Sequence, residues 1–226
     1  MKKMKKIVAG ALLGSMMVLA GCGGGGGSAS SEGSAAAEAN KDAKQVGVIQ
    51  LASHVALDRA NEGFQDGLEE AGFTIGKDVV IDFQNAQGDQ SNLDTITKQF
   101  ASDNKDLVCA IATPAAVQMA SASSDIPIVG TAITDYEAAK LVDSNDKPGR
   151  NVTGTSDMNP IADQVALMKE LVPDIKTAGI MYSSAEENSR IQADMFKEEC
   201  EKLGIAVEEM TISNVNEIQQ AADSLL

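Results

Sequence analysis

Val46-Gly47-Val48-Ile49-Gln50-Leu51 is a short apolar run, and residues 56–71 after it carry Leu57, Ala60, Phe64, Leu68 and Ala71 before Gly72. An almost uninterrupted apolar run reads as a strand buried on both faces. Spacings of three and four place one apolar stripe along a helix. Outward from this unit, residues 79–83 form a second expected strand, followed by a helix over about 91–102 that uses Leu93, Ile96 and Phe100. Residues 107–112 are a third strand, and a short helix over about 114–121 has Pro114 in its first turn and Thr113 as its expected N-cap. Residues 126–129 are a fourth strand, entered through Pro127. The order βαβαβαβ with apolar strands predicts a parallel sheet flanked by helices, an α/β fold.

The pattern then starts again. Beyond Lys147-Pro148-Gly149-Arg150 come a strand over 151–155 and a helix over about 160–171 closed by Pro173. A strand over 178–182, a helix over about 185–203 ending at Gly204, a strand over 205–212 and a helical stretch over 216–226 follow. Gly47 and Gly72 bracket the first strand–helix unit, and Gly179 and Gly204 bracket the later one at an offset of 132 residues. Two lobes of one architecture account for this; the plainer alternative is that any two βα units look alike.

Composition narrows the function. The 226 residues hold 33 Asp+Glu against 18 Lys+Arg, a net charge of −15, which excludes the basic footprint of a nucleic-acid binder. Hydrophobic content of 43% excludes wholesale disorder. Aromatics at 3% and the absence of Trp speak against base-stacking platforms and grooves for Pro-rich peptides. At the amino end, Lys2, Lys3, Lys5 and Lys6 precede an apolar run over 7–20 and Leu19-Ala20-Gly21-Cys22. That is a signal-peptide pattern, too short for a comfortable membrane span. It resembles the lipobox of bacterial lipoproteins, which implies lipidation of Cys22; the alternative is an ordinary secretory signal with a chance Cys. Cleavage before Cys22 would leave 14 basic against 33 acidic residues, so membrane attachment would come through lipid rather than charge. The Gly/Ser/Ala-rich stretch 22–44 reads as a tether. Cys109 and Cys200 read as small buried hydrophobes, and with one His in the chain a metal site or cofactor finds no support.

Five segments carry a family resemblance in order: Val46-Gly47-Val48-Ile49-Gln50-Leu51-Ala52-Ser53-His54, Ala112-Thr113-Pro114-Ala115-Ala116, Ala132-Ile133-Thr134-Asp135, Asn151-Val152-Thr153-Gly154-Thr155-Ser156-Asp157 and Tyr182-Ser183-Ser184. With the lipobox they resemble the substrate-binding lipoproteins of ABC importers, in the subfamily associated with tryptophan and other aromatic amino acids. The resemblance implies a type I periplasmic-binding fold, two α/β lobes closing on a small-molecule ligand, and docking on an ABC permease. The expected organisation is a signal peptide over 1–21, a tether over 22–44, a first lobe over 45–134, a crossover and hinge region over 135–155, and a partial second lobe over 156–226.

In open parallel sheets ligands bind outside the carboxyl ends of the strands. The expected contacts there are Ser53, His54, Thr113, Pro114, Ala115, Thr134, Asp135, Ser156, Asp157, Ser183, Ser184 and Glu186. His54 either meets a ligand or is a surface residue. Thr113 serves as an N-cap, as a ligand contact or as both, beside helix N–H groups suited to a carboxylate. Asp157 suits an α-ammonium. Ser183, Ser184 and Glu186 either cap the second-lobe helix or touch ligand. A sensing lipoprotein that presents its amino acid to a receptor would share this site. A membrane-tethered hydrolase would need a G-x-S-x-G elbow, which is absent, and His54 as its base. At the 132-residue offset, the partner of the third strand would begin near position 239. A chain ending at Leu226 is therefore expected to have an unfinished second sheet, weak stability there and poor ligand binding.

Overall fold

The computed structural model describes residues 42–226. Cys22, the expected signal peptide and residues 22–41 of the expected tether lie outside the described residues.

The first lobe runs β1 (Lys44–Gln50), α1 (Val55–Glu70), β2 (Val79–Asn85), α2 (Gln90–Ser102), β3 (Leu107–Ile111), α3 (Thr113–Ala122), β4 (Ile128–Ile133) and β5 (Val152–Ser156). The second runs α4 (Ile161–Leu171), β6 (Thr177–Ser183), α5 (Glu187–Lys202), β7 (Ala206–Ile212), a short 3-10 turn (Val215–Glu217) and α6 (Ile218–Leu225). All the expected elements are present. The fourth strand sits later than expected because Pro127 has no N–H to give to a ladder, so pairing begins at Ile128.

The first sheet has the order β2-β1-β3-β4-β5 and is parallel throughout. This corrects the expectation of four strands. The segment read as a crossing strand is the fifth, with Val152, Thr153 and Gly154 opposite Ile128, Val129 and Gly130. Among the described residues the second sheet has two parallel strands, β6 and β7.

Buried positions follow from strand order. β1 lies between β2 and β3 and is buried from Val46 onward. Ile49 packs with Leu93, Phe100 and Met119 on the α2/α3 side, while Val46 and Val48 join Cys109 and Ile111 under the apolar stripe of α1. Gly47 is needed here, since a β-carbon would come 2.7 Å from the Phe100 ring. Gly179 on β6 likewise faces a helix, α6, but a β-carbon there would lie 3.4 Å from Leu225, an ordinary contact. The repeat extends to the helix ends: α1 closes with Phe73 N–H donating to Leu68 O, and α5 with Ile205 N–H donating to Cys200 O. Gly72 and Gly204 occupy the left-handed position between them, at φ 92° and 68°. Two lobes built on one unit are thus visible in packing as well as in spacing. Cys109 and Cys200 are free and buried, and burial pushes the Cys109 thiol up to about 12, which keeps it protonated.

One partly buried ion pair ties this packing to pH. Lys105, its side chain 9% exposed, donates to Asp82 at 2.7 Å and lies 5.3 Å from the Phe100 ring centroid. Burial alone would raise the Asp82 carboxyl, but hydrogen bonds from Lys105 and Gln84 and the Lys105 charge outweigh it and hold the group below its ordinary range. A folded pKa below the unfolded one gives stability that is present above the unfolded value, near pH 4, and is lost as pH falls through the folded value. Urea unfolding between pH 7 and 2 should therefore show an acid loss that Lys105→Met reduces; an unchanged loss would mean that Asp82 is not a contributor.

Candidate functional site

The carboxyl ends of the strands converge on a narrow cleft between the lobes. Gln90, at the start of α2, and Thr113, Pro114, Val117 and Gln118 of α3 face Ala185 of the β6–α5 connection and Glu187 at the start of α5, enclosing about 120 Å³. The cleft brings Thr113 and Pro114 of the expected contacts against the second lobe. A hollow of about 250 Å³ is lined by the consecutive residues Ile180, Met181 and Tyr182, which alternate between faces, so it follows the free edge of β6. Another of about 340 Å³, beside Arg150 and Val152, lies at the amino end of β5, away from the loops that carry the motifs.

The β3–α3 turn has a shape that sequence alone does not reveal. Ala112, not Thr113, holds the cap position, with φ 86° and ψ 150°, a conformation ordinarily reserved for glycine. The N-cap expectation for Thr113 is therefore corrected. Thr113 is the first helical residue, it is buried, and its hydroxyl accepts from Thr134 N–H at 3.4 Å. No side chain caps α3, Pro114 has no N–H, and Ala115 is buried beside it. The N–H groups of Thr113 and Ala115 are thus left without a hydrogen bond among the described residues at the positive end of this helix.

His54 lies in the β1–α1 loop. Its Nδ1 accepts from Ala56 N–H at 3.2 Å, so His54 is the N-cap of α1. The neutral ring then carries its proton on Nε2, which leaves a donor. Ser53 accepts from Asn85 Nδ2 at 3.2 Å, linking the loops after β1 and β2.

The loops after β4 and β5 are joined by polar contacts. Ser156 Oγ donates to Thr134 O at 2.7 Å and accepts from Met158 N–H at 3.1 Å. Asp135 Oδ1 accepts from the N–H groups of Glu137 and Ala138, both at 2.9 Å, so this oxygen holds a local turn. Asp157 differs. Its N–H donates to Ile133 O at 3.0 Å, while its exposed carboxylate has no hydrogen bond or ion pair among the described residues.

On the second lobe, the capping alternative for Ser183, Ser184 and Glu186 is not what forms. Glu186 occupies the cap position of α5 without a side-chain bond, and Ser184 Oγ donates to Ile212 O at 3.2 Å. Ser183 accepts through its backbone oxygen from Glu186 N–H at 3.3 Å. The first-turn acid is Glu187, held below its ordinary carboxylate range by its hydrogen bond from Arg190, with burial opposing and the charges of Arg190 and Lys140 assisting. Gln90, Gln118 and Glu187 were missed in the sequence. The loop-end rule that found the other contacts would have found Gln90, since it follows β2.

Residues 45–226 match the family model described as ABC transporter substrate binding protein. A protein of Clostridioides difficile named tyrosine-binding protein is 41% identical over 230 residues, covering 100% of this chain and 65% of that protein. The solved ABC domain of Streptococcus pneumonia in complex with L-Trp is 46% identical, with a TM-score of 0.76, covering 80% of this chain and 61% of that one. A ligand-free, open substrate-binding protein with adhesive properties from Clostridium difficile is 45% identical, with a TM-score of 0.59 and coverage of 80% and 62%. A leucine binding protein of Thermotoga maritima, 13% identical with a TM-score of 0.62, shares the fold alone. The chain spans 65% of the length of the named relative and about 61% of the solved ones. The fold is the two-lobed type I periplasmic-binding fold, and the chain belongs to the ABC transporter substrate-binding protein family.

Proposed function

We propose that this protein captures an aromatic amino acid, tyrosine or tryptophan, between its two lobes and presents it to an ABC permease. The observation that carries the reading is the pairing of unused groups at one end of the sheet. The uncapped end of α3 offers N–H groups to a carboxylate, and the unpaired Asp157 offers a carboxylate to an α-ammonium. Together these complement the zwitterion that all free α-amino acids share. The choice of an aromatic side chain is supported by the relatives, one named for tyrosine and one solved with L-Trp.

A cleft of about 120 Å³ is below the roughly 300 Å³ of an ordinary ligand pocket, so entry requires the lobes to part and capture requires them to approach again. The expected contacts Ser53, His54, Thr113, Pro114, Ala115, Thr134, Asp135, Ser156, Asp157, Ser183, Ser184 and Glu186 remain the proposed ligand set, with Gln90 and Glu187 added from the cleft. We place the protein outside the cytoplasmic membrane, tethered through lipid on Cys22.

Calorimetric titration of the natively expressed protein with L-tyrosine, L-tryptophan, L-phenylalanine and L-leucine tests the reading. Heat from the aromatic amino acids alone is expected. Binding of none of the four would overturn it, and a preference for L-leucine would overturn the aromatic assignment.

A further inference from the structure

We propose that Tyr136 and Ser156 form the pin that fixes the first-lobe end of a segment about which the second lobe turns; the proposal rests on the two-lobed capture inferred above. Among the described residues one segment, 157–160, joins the lobes: the chain leaves the first sheet at Ser156 and enters α4 at Ile161.

The ladder that leads into this segment is interrupted. Gly130 stands opposite Gly154, but the next pair is Ile133 with Ser156, so β4 uses three steps where β5 uses two. Tyr136 bridges the gap. Its buried hydroxyl donates one proton, shared between Gly130 O at 2.8 Å and Thr155 O at 3.1 Å. The two glycines clear the space for it. A β-carbon on Gly130 would come 2.6 Å from the Tyr136 oxygen, and one on Gly154 would overlap both that oxygen and the Gly130 carbonyl. Burial pushes the phenol up to about 12, with the nearby Asp157 carboxylate adding to it, so the donor persists at physiological pH.

Ser156 carries the anchor one step further. Its hydroxyl is committed in both directions, to Thr134 O and from Met158 N–H. Thr134 in turn donates through its N–H to Thr113, which lines the cleft. The polar chain Thr113–Thr134–Ser156–Met158 therefore runs from the cleft to the crossing segment. The first tie on the other side is Asn159 Nδ2, which donates to Gln192 Oε1 of α5 at 2.9 Å. The pivot falls between these ties. Asn159 precedes Pro160, which confines it to extended backbone, so within this segment Met158 is left with the freer backbone. Tyr136 and Ser156 act as positioning residues. They hold the fixed end of the hinge and so set how far the lobes wander before ligand arrives.

Spin labels on cysteines placed at exposed Glu62 and Glu198 report the distance between lobes in the full-length protein, the native Cys109 and Cys200 being buried. Without ligand, Tyr136→Phe and Ser156→Ala should each broaden the distance distribution roughly twofold. Unchanged widths in both Tyr136→Phe and Ser156→Ala would overturn the pin. If Tyr136→Phe does not fold, Ser156→Ala decides on the same readout. Adding L-tyrosine to the wild type tests the capture reading separately. A distance that ignores it counts against that function, while the ligand-free widths still decide the pin.

Discussion

Asp157→Ala is expected to weaken binding of L-tyrosine and L-tryptophan by at least about tenfold while leaving the thermal midpoint unchanged. The two halves of that result have separate causes. The side chain is exposed and takes no hydrogen bond or ion pair among the described residues, so the fold loses nothing with it. Its backbone N–H still donates to Ile133 O in the variant, so the loop keeps its place. Affinity falls because a ligand ammonium enclosed between the lobes then lacks its countercharge, and an enclosed charge without a partner is costly. Calorimetry on both proteins checks this. Equal affinities would remove Asp157 from the ligand set, whatever the ligand proves to be.

The largest stability effect should come from Phe100→Ala, at about 3–5 kcal/mol, or a fall in midpoint on the order of 10 °C. Phe100 is fully buried, its ring fills the space left by the missing side chain of Gly47, and it lies against the Lys105 ammonium. Truncation opens a cavity beneath β1 and strips a ring from a partly buried cation. The site is hard to collapse, because β1 is held between β2 and β3. Urea denaturation followed by circular dichroism measures the loss; a value below about 1 kcal/mol would mean that α2 settles onto β1 and closes the gap.

The order of strands and helices was legible because it depends on period and on glycine, and both are local. The stripe Leu57, Ala60, Phe64 and Leu68 does pack on the sheet, and Gly72 and Gly204 do end their helices. What escaped depends on groups brought together from afar. Nothing around residues 151–155 distinguishes a strand that crosses between lobes from a fifth strand of the first sheet, since pairing with β4 is decided by the length and packing of the intervening loop. Tyr136 was passed over for the same reason: its partners, Gly130 O and Thr155 O, are backbone atoms that carry no side-chain signature. In the candidate site, position along the strands pointed to Thr113 and Pro114, which line the cleft. Thr113 was assigned a capping role because its type suits that role, whereas the helix begins one residue earlier at an alanine in a glycine-like conformation.

That alanine has a thermodynamic consequence for recognition. Ala112 is held at φ 86° by its N–H to Thr131 O at 3.0 Å and by its carbonyl, which accepts from Ala116 N–H at 3.2 Å. The unfavourable conformation, on the order of 1–3 kcal/mol, is met by the folding of the first lobe rather than by the arrival of a ligand. A turn already fixed has little conformational entropy left to lose on binding. On the proposed function, its discrimination would reside in the direction of its N–H groups, so a molecule without a correctly placed carboxylate would gain nothing by waiting for the loop to adapt.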